Sequence, residues 1–147
     1  MEQAKKASCQ SLSFIVTGEP QGKARPRFCF KTGKAYTPKA TKKYEQLIRS
    51  YVMMTRYKFC KGVPLEINIK AYYKIPKRVS KSLFVQMLEF LVLPTKKPDA
   101  DNVIKVVLDA LNGVLYEDDA QICDIFFKKR YSENPRVEIS IRRINPT

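Results

Sequence analysis

Apolar positions along this chain repeat with two periods. Leu65, Ile67, Ile69 and Ala71 alternate with Glu66, Asn68 and Lys70, and Val137, Ile139 and Ile141 alternate with Glu138, Ser140 and Arg142. A two-residue period marks a half-buried strand. The run "LSFIVTG" (12–18), closed by Gly18, and the β-rich run "QICDIFFKKRY" (121–131) add two more strands. Because only "SENP" separates the last two runs, the sequence predicts that they form a hairpin.

Elsewhere the period is helical. Tyr44, Leu47, Ile48, Tyr51, Val52 and Met54 predict an amphipathic helix over about 39–57. Leu83, Phe84, Met87 and Leu88, behind Ser80 as N-cap, predict a short helix within 80–90. Val103, Ile104, Val107, Leu108 and Leu111 form the clearest stripe, predicting a helix over 101–112 with Asp101 as its cap and Gly113 as its stop. These elements predict an α+β fold of about four strands with packed helices, in one domain over 1–147 with a flexible tail over 1–11. No repeat or low-complexity tract interrupts them.

Composition adds a partner. The 147 residues are 44% hydrophobic and 29% charged, ordinary for a globular domain, but the net charge is +14 and the pI near 9.7. Such an excess points to a polyanion, with nucleic acid the first candidate and a membrane surface its rival. No stretch reaches the roughly 18 apolar residues of a spanning helix, and "MEQAKKASCQS" lacks the apolar core of a signal peptide. The expected location is the cytoplasm, with no membrane partner.

Histidine is absent and Cys9, Cys29, Cys60 and Cys123 are widely spaced, which argues against a zinc site, and the missing histidine excludes Ser-His and Cys-His nucleophile pairs. Any catalysis must run on carboxylates, lysine or another metal.

From Pro20 to Tyr44 the chain carries eight basic residues and no acid, interleaved with Phe28, Phe30, Tyr36 and Tyr44. This is the composition of a binding loop as well as of a solvated charge run. Lys23, Arg25, Arg27, Lys31, Lys34 and Lys39 are its candidate DNA contacts.

The acids are crowded elsewhere: all six aspartates lie between Asp99 and Asp124. Two carboxylates about 4 Å apart repel by roughly 4 kcal/mol at an effective dielectric of 20, which a divalent cation offsets. Asp99 and Asp101 lead into the predicted helix, Lys105 follows one turn later, and an antiparallel return can bring Asp118 or Asp119 back to the helix start. Oxygen ligands without histidine or cysteine favour Mg²⁺ or Mn²⁺. The plainer alternatives stay open: Asp101 as a cap only, Lys105 as its surface partner, Asp109 as a solvated charge, Asp118 and Asp119 as turn residues.

The block Lys97, Pro98, Asp99, Ala100, Asp101, Asn102 and Lys105, then Asp109 to Gly113, then Asp118, Asp119, Ala120 and Gln121, resembles the signature of the RusA family of Holliday junction resolvases. "GKARPRF" and "AYTPKATKKYE" extend the resemblance to about residues 14–142. It implies a RusA-like fold with a mixed sheet, and a Mg²⁺-dependent, structure-selective endodeoxyribonuclease, Mn²⁺ substituting, that resolves junctions by paired symmetric nicks in recombination and repair. It further implies catalytic, metal-binding roles for Asp99, Asp101 and Asp119, with Asp118 supporting, Lys105 at the scissile phosphate, four-way junctions as substrate and a homodimer. The segment "VSKSLFVQMLEFLVLPT" departs from a minimal family member. The alternatives are a non-catalytic DNA- or RNA-binding module, and a nuclease for flaps or forks.

Overall fold

A computed structural model describes residues 11–145; Cys9 and most of the expected tail lie outside the described residues. Strands β1 (Ser11–Thr17), β4 (Leu65–Lys74), β5 (Ile122–Ser132) and β6 (Arg136–Arg143) form a four-stranded mixed sheet in the order β1-β6-β4-β5. A separate two-stranded hairpin, β2 (Arg27–Cys29) and β3 (Lys34–Tyr36), stands within the basic segment. The helices are α1 (Lys39–Thr55), α2 (Lys81–Leu88) and α3 (Ala100–Leu111), and a 3-10 turn spans Asp119–Gln121.

The alternation in β4 is realised: Leu65, Ile67, Ile69, Ala71 and Tyr73 are all buried. Their core includes Ile48 and Val52 of α1 and Val103, Val107 and Leu111 of α3. Ser80 caps α2 through its Oγ, which accepts from the Leu83 N–H at 3.1 Å.

The expected hairpin between the last two strands does not form. β5 pairs with β4 in parallel, β6 pairs with β4 antiparallel, and β4 lies between them. The physical reason is the burial of β4, whose backbone N–H and C=O groups along both edges need partners that β5 and β6 supply. Residues 133–135 pass over its end, a span of two strand spacings, or about 10 Å, within reach of so short a link. The parallel β4–β5 pair requires a crossover, and α3 supplies its last helix. Consequently α3 begins at the carboxyl end of β4 and delivers the chain to the amino end of β5.

Candidate active site

The carboxyl ends of parallel strands, where a helix N-terminus follows, are where open α/β sheets bind ligands and where the helix dipole favours anions. Here that end carries Asp99 and Asp101. Three hydrogen bonds hold the segment around them: the Tyr73 hydroxyl donates to the Pro98 carbonyl at 2.7 Å, the Lys129 ammonium to the Lys96 carbonyl at 2.6 Å, and the Lys23 N–H to the Asn102 carbonyl at 2.9 Å. Gly22 packs so closely that a Cβ there would stand 2.9 Å from Pro98 Cβ and 3.0 Å from Asn102 Cβ. Burial, then the nearby Asp99 and Glu19 charges, pushes the Tyr73 phenol up to about 12, so it remains a donor at neutral pH.

Asp101 is not the helix cap. The Val103 N–H bonds the Asp99 carbonyl at 3.0 Å, so Asp99 holds the N-cap position one turn earlier than Val103, and Asp101 lies inside the first turn. The Asp99 side chain makes no capping bond; its nearest donor is the Asn102 amide at 3.5 Å. Both carboxylates are exposed. Among the described ion pairs neither Asp101 nor Lys105 has a partner, so Lys105 is exposed on the same face with its ammonium uncommitted.

Asp118 and Asp119 sit at the opposite end of the sheet. Gln121 anchors them: its side-chain amide donates to the Cys60 and Val63 carbonyls at 3.0 Å, and its oxygen accepts from Glu117 and Asp118 N–H groups. Ile122 then pairs near Leu65, eight residues along β4 from Tyr73, so the two acidic ends are on the order of 20 Å apart. The expected return of Asp119 to the start of α3 therefore does not occur within one chain, because α3 and β5 each run the length of the sheet between them. Asp118 caps the 3-10 turn through the Ala120 N–H at 3.2 Å, which holds its carboxyl below the usual range. A shared hydrogen bond with Asp118, then burial and the charges of Asp118 and Asp109, raises Asp119.

Two charged residues differ from expectation. Lys23 turns its ammonium inward, 2.5 Å from buried Glu45 and 3.1 Å from Asp109. That placement removes Lys23 from the DNA-facing set and Asp109 from the freely solvated charges. Arg25, Arg27, Lys31, Lys34 and Lys39 remain exposed. Glu19 escaped the sequence reading; its carboxylate accepts from the Lys74 N–H at 3.4 Å, at the Asp99 end of the sheet. Its position directly after the first strand and Gly18 was the available signal.

Among the described residues no three acids converge as a ready metal site. The donors at the start of α3 nevertheless suit Mg²⁺, which takes one or two carboxylates and fills its remaining positions with water and substrate phosphate.

A small mixed-sheet domain with exposed carboxylates at a helix start, a free lysine one turn on and an acid-free basic arm has the parts of a phosphodiester-directed nuclease. The description "Endodeoxyribonuclease RusA" matches residues 17–142, and the chain belongs to that family. It is 37% identical over 138 residues to the uncharacterized protein YqaN of Bacillus subtilis (strain 168), covering 91% of this chain and 97% of YqaN. It is 29% identical over 112 residues to the crossover junction endodeoxyribonuclease rusA of Lactococcus phage r1t, covering 74% and 77% respectively. No helix of the described residues is long and apolar enough to cross a membrane.

Proposed function

We propose that this protein is a Mg²⁺-dependent endonuclease that resolves four-way DNA junctions by paired nicks, working as a homodimer. The observation that carries the reading is the pair of uncapped, exposed carboxylates, Asp99 and Asp101, at the start of α3 in a chain of the RusA family. Asp99 and Asp101 would hold the cation. When bound, it supplies Lewis acidity toward the scissile phosphate and lowers the pKa of attacking water. Lys105, one turn along the same face, neutralises charge on the phosphate as water attacks the phosphorus and the 3′ oxygen leaves. The exposed basic residues grip junction arms through phosphates, a contact sensitive to salt and blind to sequence.

Asp119 enters from a second copy. β5 is an edge strand of 11 residues with Ile125 and Phe126 exposed, a surface suited to pairing with another strand. Antiparallel pairing of β5 with itself about a two-fold axis lays the start of one strand against the end of the other. Asp119 precedes that start and Asp99 flanks that end, so Asp119 of the partner subunit would approach Asp99 and Asp101. Two such sites, related by symmetry, match two symmetric nicks.

Mixing tests this arrangement. Asp101→Asn and Asp119→Asn homodimers should each fail to nick a synthetic junction in Mg²⁺ while still binding it in EDTA. A mixture re-equilibrated after mild denaturation should recover single-strand nicking, because one heterodimer site retains all three acids. No recovery in proven heterodimers would place Asp119 in its own chain's site or outside catalysis. Wild-type protein that binds junctions but nicks none in Mg²⁺ or Mn²⁺ would favour the binding-module alternative.

A further inference from the structure

The β2–β3 hairpin has two chemically different faces. The register pairs Arg27 with Tyr36, Phe28 with Ala35 and Cys29 with Lys34. Alternation therefore puts Arg27, Tyr36 and Lys34 on one face and Phe28 on the other, opposite the small Ala35. Phe30, the first loop residue, folds back on the Phe28 side, with ring centroids 5.3 Å apart in an edge-to-face pair. The loop closes through a Gly33 N–H to Cys29 carbonyl bond of 2.8 Å, with Gly33 at φ +68°, a conformation glycine adopts without a Cβ penalty.

These rings are not part of the core. Phe30 is 92% exposed and Phe28 55%, and neither belongs to the apolar cluster under the sheet. Two exposed phenylalanines in contact on an otherwise basic arm call for a partner that offers flat apolar faces and negative charge together. Nucleic acid bases beside their phosphates offer both, and base–aromatic stacking is tolerant of sequence. A closed duplex keeps those faces stacked inside. They become available where pairing is interrupted, at a branch point.

The hairpin is also in the right place. Lys23, bonded to Asn102 at the start of α3, precedes Arg27 by four residues, so the hairpin base lies within about 14 Å of Lys23 and hence beside the acidic strap, residues 96–99, that leads into α3.

We propose that Phe28 and Phe30 form a stacking wedge for bases unpaired at a DNA branch, while Arg27 and Lys34 on the opposite face hold flanking phosphates. This rests on the junction-directed reading and gives it a structural source of branch selectivity. Electrostatics alone does not supply that selectivity, since duplex arms carry the same charge.

The test compares wild type with Phe28→Ala/Phe30→Ala and Phe28→Leu/Phe30→Leu, in EDTA, on a four-way junction carrying 2-aminopurine at the branch and on a linear duplex of matching sequence. Wild type should change the branch fluorescence. Both variants should lose that change and about tenfold or more of junction affinity, with duplex affinity within about twofold. Circular dichroism melting checks that the exposed substitutions leave the fold intact. Unchanged junction affinity and fluorescence in the variants would overturn the wedge, as would equal losses on junction and duplex. Full retention by the leucine pair would overturn stacking in favour of apolar contact, and dissociation of a wild-type dimer into monomers would assign the rings to a second copy. Wild-type nicking in Mg²⁺ is read in parallel: a branch response without nicking would reject the nuclease and keep the wedge, and nicking without a branch response would do the reverse.

Discussion

The hydroxyl of Tyr73 donates to the carbonyl of Pro98 at 2.7 Å, tying the end of the most buried strand to the residue that precedes Asp99. Tyr73→Phe removes the donor and leaves a part-buried carbonyl unpaired. The expected cost is about 1–2 kcal/mol in urea unfolding, with junction nicking reduced more than junction binding. The phenol also sets an alkaline limit. Its folded value of about 12 exceeds the unfolded value near 10, so the folded state keeps its proton while the unfolded state loses it, and stability falls as pH rises across that window. A urea midpoint that drops between about pH 10 and 12 in wild type, and drops less in Tyr73→Phe, would show the linkage; parallel slopes would refute it.

Gly22 is required by proximity. A methyl group there meets Pro98 and Asn102 at 2.9 and 3.0 Å, so Gly22→Ala must displace the strap or the start of α3. Catalytic geometry tolerates such shifts poorly, and nicking should fall on the order of a hundredfold while junction affinity in EDTA changes little. Nicking within twofold of wild type would show that Asp99 and Asp101 do not depend on the strap.

Lys23 neutralises Glu45 in a largely dry setting. Lys23→Met should destabilise the fold by about 2–4 kcal/mol, because it leaves a buried carboxylate without its cation. The double variant Lys23→Met/Glu45→Leu should recover part of that loss. If Lys23→Met instead melts like wild type and weakens DNA binding with a reduced salt slope, the lysine faces phosphate after all.

Gln121 satisfies four backbone groups at once, two carbonyls before β4 and two N–H groups before the 3-10 turn. Replacing it with leucine should cost about 3 kcal/mol in thermal or urea unfolding, a larger effect than replacing exposed Asp119 with asparagine. The reverse ranking would mean that the acidic turn is held by something other than Gln121.

Much of this arrangement was legible in the sequence because it is local. The alternation from Leu65 to Ala71 named the faces of β4, and the stripe from Val103 to Leu111 located α3. Neighbours were harder, since a two-residue period says which side is buried and not which strand lies alongside; the short "SENP" link looked like a hairpin turn and instead crosses β4. Asp99 and Asp101 are both good cap residues, so spacing could not choose between them. The motif likewise gathered Asp119 with the others, although its distance from Asp99 depends on how α3 and β5 lie on the sheet. In the basic run nothing marks Lys23 apart from Arg25, because its partners Glu45 and Asp109 come from two helices.

The position of β6 has a consequence for how the molecule comes into being. This strand is the last of the described fold to be synthesised, yet it occupies the interior of the sheet, pairing with β1 on one side and β4 on the other. β1, made more than a hundred residues earlier, has no partner in the sheet until β6 emerges. A nascent chain therefore carries its basic arm and its acidic segment without a closed scaffold beneath them, and long-range pairing of this kind is slow. The four-stranded sheet is thus complete only once its final strand slides in between β1 and β4.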